Sequence, residues 1–91
     1  MKYILSAYHD GETICEMEVK VSRKAKITTV FKRCMNTLGL ELIKKGIINK
    51  KTTYGYELPN IWTNGYLGTA WFNDPYVPVS IQEETGAWLA N

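Results

Sequence analysis

The chain has 91 residues, 45% hydrophobic and 22% charged, with a net charge of +2, enough for one domain with a modest core and unlike a disordered tract. No apolar run approaches the ~20 residues that span a bilayer, and the apolar stretch within residues 1–10 is too short for a signal peptide. Two cysteines, Cys15 and Cys34, lack C-x-x-C spacing and read as buried small apolar side chains rather than a disulfide framework, which together places the chain in a cytoplasm.

Residues 2–21 read as a β-hairpin. Tyr3, Leu5 and Ala7 alternate with Lys2, Ile4 and Ser6, and Cys15, Met17, Val19 and Val21 alternate with Glu16, Glu18 and Lys20. A period of two with one polar face is the mark of a half-buried strand. Between the runs, His9-Asp10-Gly11 supplies the positive φ of a tight turn.

Residues 22–51 read as helix. At about 100° per residue, Ile27, Val30, Phe31, Cys34 and Leu38 share a narrow arc, with Lys26, Thr29, Lys32, Arg33 and Asn36 opposite. Ser22 is the expected N-cap. Continued past Gly39, the register would put Leu40 in solvent and Lys45 on the core face. The expectation is a break or kink near Gly39, then a short second helix with Leu40, Ile43 and Ile47 on its own face, ended by Gly46.

Residues 52–91 read as strands and turns. A strand over 52–58 stops at Pro59-Asn60. Asn64-Gly65 between Ile61-Trp62-Thr63 and Tyr66-Leu67 signals a second hairpin. The strand continues from Tyr66 to Phe72 with Gly68 weakening it, Asn73-Asp74-Pro75 turns, and Val77, Val79 and Ile81 alternate again. Pro78 marks this last strand as an edge strand, and the tail 83–91 reads as a short helix anchored by Trp88 and Leu89. The fold class is α+β: an N-terminal hairpin, a kinked central helix and further antiparallel strands (ββ-α-βββ), with the helix on one face of an antiparallel sheet.

The small net charge hides a separation. Residues 22–51 hold nine basic residues (Arg23, Lys24, Lys26, Lys32, Arg33, Lys44, Lys45, Lys50 and Lys51) against Glu41, a segment charge of +8, while residues 1–21 carry −2 and 52–91 carry −4. Cations in a first helical turn oppose the macrodipole, so Arg23, Lys24 and Lys26 do not stabilise the helix by themselves. The plain alternative is a solvated face whose charges meet acids such as Glu16 and Glu18. Eight of the eleven aromatics follow residue 51, some of them core and some, such as Trp62 and Tyr66 beside the hairpin tip, candidate contact residues.

Catalytic groups are sparse. The one histidine, His9, sits beside Asp10 in a turn, where neighbouring side chains tend to diverge. Both cysteines are expected inward, which disfavours a reactive thiolate. One histidine and two scattered cysteines do not make a zinc site. No cofactor or enzymatic activity is expected.

The expectation is a non-enzymatic binding protein, an inhibitor or adaptor. It docks on a larger protein or nucleoprotein machine with an acidic surface through Arg23, Lys24, Lys26, Lys32, Arg33, Trp62 and Tyr66. Its size and α+β make-up resemble those of small phage-encoded inhibitors, including anti-CRISPR proteins, a resemblance of character that rests on no motif and transfers no residue. It implies a viral protein acting in a host cytoplasm. Direct nucleic-acid binding by segment 22–51 is the alternative, and capture of a small phosphorylated ligand at Ser22–Lys26 is the third reading. No membrane partner is expected. A homodimer through strand 77–81 or through the opposed charge patches stays open.

Overall fold

The first turn behaves as its residues require. Asp10 takes a φ of 50° and Gly11 a φ of 80°, the pair of left-handed residues whose twist suits a tight hairpin. They join β1 (Lys2–His9) to β2 (Glu12–Lys20). The computed structural model describes residues 1–57 and 66–83. Pairing runs from Lys2↔Lys20 to Ala7↔Cys15 and then shifts, so that Tyr8 faces Thr13. The extra residue, Ile14, sits in this bulge and packs half-buried against the core beside Cys15.

One helix follows, α1 (Ile27–Lys44), and it begins later than Ser22. The Ser22 carbonyl accepts from Ala25 N–H at 3.1 Å and its hydroxyl from Lys24 N–H at 3.2 Å, closing a turn ahead of the helix. Ser22 caps that turn and not the helix. The N-cap is Lys26, in extended geometry and without a side-chain cap hydrogen bond.

The expected break at Gly39 and second helix are replaced by one unbroken helix. Gly39 is buried, with the Phe72 ring over it, and Leu40 is indeed in solvent at 65% exposure. The register conflict at Lys45 is removed by ending the helix there. Gly46, at φ 75°, donates to the Ile43 carbonyl at 3.0 Å, and Ile47 N–H reaches back to the Leu42 carbonyl at 3.0 Å. This double return is the Schellman closure that a left-handed glycine permits. Glycine at position 46 stops the helix, and glycine at 39 packs under the Phe72 ring.

The remaining strands are β3 (Tyr54–Glu57), β4 (Tyr66–Phe72) and β5 (Val77–Glu83). They complete a five-stranded sheet in the order β2-β1-β5-β4-β3, antiparallel throughout. β4 has the bounds expected of it, with a register shift between Tyr66 and Gly68 where the glycine was expected to weaken it. The turn at 73–76 contains a cis Asp74–Pro75 bond. Two expected elements, the Asn64-Gly65 hairpin tip and the helix after Glu83, lie outside the described residues, and Glu83 itself ends β5.

The edge assignment of the last strand is corrected. β5 is the central strand, between β1 and β4. Pro78 fits because the ladder with β1 ends at Ala7↔Val79, leaving Pro78 paired on one side only, opposite Trp71. With both neighbours occupied, β5 cannot pair with a second copy of the chain, so the proposed dimer edge is removed.

The core lies between α1 and one sheet face. Leu5, Ala7, Val79, Ile81, Ala70 and Phe72 meet Phe31, Cys34, Met35, Leu38 and Leu42, nearly all fully buried. Ile27, which the periodicity put in the core arc, is half-buried at its margin. Tyr56 stacks on Phe31 with ring centroids 4.5 Å apart, and Tyr54 meets Phe72 edge-on at 6.4 Å. Among the described residues, no helix is long and apolar enough to cross a membrane.

Candidate functional site: the basic helix layer

The placement of α1 on one sheet face sorts the charges by layer. Strand alternation puts Tyr3, Leu5, Cys15 and Val19 toward the helix, so Glu16 and Glu18 stand on the face away from it. Glu16 accepts a hydrogen bond from the Ser6 hydroxyl at 3.3 Å, and Glu18 lies 4.0 Å from the Lys2 ammonium. These acids face away from the helix cations. Among the described residues, Arg23, Lys24, Lys26, Lys32 and Lys44 are exposed with no carboxylate in ion-pair range.

The predicted residues do not all stand together in the expected way. Arg23 and Lys24 occupy the turn before α1, outside its first turn, and Lys26 is the N-cap. Lys32 projects from the exposed side of the helix. Arg33 is exposed too, but its Nε donates to the Lys20 carbonyl at 3.1 Å and ties the helix to the end of β2. Trp62 lies outside the described residues, and Tyr66 is placed only by its backbone, opposite Gln82 at the start of β4. Tyr54 and Tyr56 share a face as expected and use it largely for the core.

The first turn of α1 has no acid and its N-cap no side-chain oxygen, whereas Lys44 stands in the last turn, where the dipole favours a cation. Lys26 at the N-cap costs the isolated helix a few tenths of a kcal/mol, and nothing in the described fold repays that locally.

His9 and Asp10 do not diverge: Nε2 and Oδ2 come within 3.4 Å. Both side chains are strongly exposed at the hairpin tip. Burial pushes the Cys34 thiol up to about 11, the reverse of what a nucleophile needs. Leu40, Lys44 and Lys50 belong to the exposed layer; Lys44 and Lys50 were sequence candidates only within the basic segment 22–51, and Leu40 was not one, its signal being an apolar side chain off the core arc.

Fold and site together define a class, a two-layer α+β domain with a cationic helix layer and an acidic, hydroxyl-bearing sheet face. Comparison with protein families, with curated proteins and with solved structures finds no match for the chain.

Proposed function

We propose that the protein is a non-enzymatic binding module, an adaptor or inhibitor acting in the cytoplasm, that docks the basic helix layer on an acidic surface of a larger protein or nucleoprotein assembly. One observation carries this reading: Lys26 and Lys32 are exposed with no carboxylate in ion-pair range among the described residues, while Glu16 and Glu18 of β2 are engaged on the far side of the sheet. Such a layer steers a complementary partner and sets its register. The sheet face that single-strand binders use for nucleic acid carries Glu16, Glu18 and Glu57 here, which favours a protein partner over a stacked nucleic acid strand.

The test is a pull-down from a lysate with tagged protein, with and without nuclease, beside the Lys26→Glu/Lys32→Glu double variant. The expected result is a protein recovered after nuclease treatment and lost with the variant. Recovery abolished by nuclease would make nucleic acid the partner. Recovery undiminished by the variant would remove the helix layer from the contact.

A further inference from the structure

The helix does not cover the sheet evenly. It packs closest to β1 and β2, and on the β3 side the space is filled by aromatic rings. Toward the helix C-terminus the filling is incomplete. A groove of about 320 Å³ opens there between α1, the 48–52 segment and the start of β3. Met35, Gly39, Ile43 and Phe72 line its apolar part, and the missing side chain at Gly39 widens it, since an added Cβ would lie 3.5 Å from the Phe72 ring. Leu40, 65% exposed, and Lys50 also line it, and among the described residues no carboxylate does.

We propose that this groove seats an extended, acidic segment of the partner protein, with one apolar side chain of that segment lodged beside Leu40 and Gly39. The inference rests on the docking reading above and names the chemistry that reading leaves open. Charge selects the occupant. Lys50 lines the groove, and at about 100° per residue Lys32, Asn36, Gly39 and Ile43 share one flank of α1, so a second cation lies on the same side of the helix. Glu57, the acid of β3, alternates with Tyr54 and Tyr56 and faces the other side of the sheet.

Backbone chemistry selects the conformation. β3 is an outer strand of the sheet, paired among the described residues with β4 alone. An outer strand offers a ladder to an added strand, while pockets beside it read alternate side chains. An exposed leucine at the mouth of an apolar groove with a polar rim is a common anchor arrangement.

The probe is a short peptide of alternating glutamate and threonine with one central phenylalanine, titrated into the isotope-labelled full chain and followed by NMR. Its counterpart carries lysine for glutamate. Expected are saturable shifts at residues 35–43 and 54–57, roughly tenfold weaker binding in Leu40→Glu and in Lys50→Glu, the size of a single hot-spot contact, and no binding of the lysine peptide. Both substituted side chains are exposed, so folding is retained. Equal affinity for the two peptides, unchanged affinity in both variants, shifts confined to residues 23–33, or no shift at millimolar peptide would each overturn the groove assignment. A pull-down partner lost with Lys26→Glu/Lys32→Glu but retained by Leu40→Glu would refute the groove and leave the docking reading standing.

Discussion

The two faces of the sheet solve different problems with the same strands. On the helix side, Leu5, Ala7, Val79 and Ile81 alternate inward and are buried by α1. On the other side the same strands present Ile4, Ser6, Tyr8, Ser80 and Gln82, and no helix among the described residues covers them. Ser6 is nevertheless only 8% exposed. It sits on an inner strand between the register neighbours Glu16 and Ser80, and its hydroxyl donates to Glu16. Tyr8 spans to the Ser80 hydroxyl at 3.3 Å. Burial on the helix side comes from a second layer, whereas on the open side it comes from neighbouring side chains of the same layer. The first excludes water from apolar groups, and the second leaves polar groups bonded to one another.

The sharpest way to break that contrast is Phe31→Ala. Phe31 is fully buried and carries the Tyr56 stack. Its truncation leaves a cavity and is expected to cost about 3 to 5 kcal/mol by urea denaturation. A loss below about 1 kcal/mol would mean that the helix layer is not the source of the core.

Alkaline titration probes the same side. Burial raises the Cys34 thiol from its ordinary 9.0 to about 11, and burial, then the Glu83 carboxylate, raises the Tyr3 hydroxyl. Both raised values favour the protonated form in the folded state. The stabilisation from Cys34 is therefore complete below pH 9 and lost as pH rises toward 11, with Tyr3 adding to the loss above its ordinary 10.0. The expected fall attributable to Cys34 is roughly 2 to 3 kcal/mol, and Cys34→Ala should flatten most of it. An unchanged alkaline slope in that variant would place the titrating group elsewhere.

Two glycines compare the faces at finer scale. Gly55 lies opposite Trp71 on the open side, and an added Cβ would meet the indole at 2.8 Å. Gly39 is on the helix side, where an added Cβ has ordinary contact with Phe72. Gly55→Ala should destabilise by about 1 to 2 kcal/mol because a rigid ring has to move. Gly39→Ala should stabilise by about 0.5 to 1 kcal/mol through helix propensity. Thermal melts of the pair would check the sign difference, and two changes of the same sign would contradict these contacts.

Much of this architecture is written in local pattern. The period-two runs in β1, β2 and β5, the Asp10-Gly11 turn and the arc of Val30, Phe31, Cys34 and Leu38 each carry their own signal, because alternation and helical spacing record which face meets water. The candidate cations were legible as residues, yet their placement was not. Ser22 looks like a cap in sequence, and only the path out of β2 decides that the turn comes first and the helix starts at Ile27.

Leu40 shows the limit most clearly. Its position off the core arc was readable, and breaking the helix at Gly39 was a way to bury it. The folded chain instead leaves Leu40 exposed, because the helix runs on unbroken through Gly39, which packs under Phe72, a strand residue 33 positions away. Pro78 teaches the same lesson: proline removes one ladder donor, but whether that donor faces an edge depends on how far β1 extends beside β5. Element type, the hairpin turn, the core faces and the charge blocks followed from the amino-acid sequence alone, since each depends on neighbours a few residues apart. Strand order, the groove beside Gly39 and the separation of the acids of β2 from the helix cations belonged to the tertiary structure, since pairing between distant segments has no local signature in the chain.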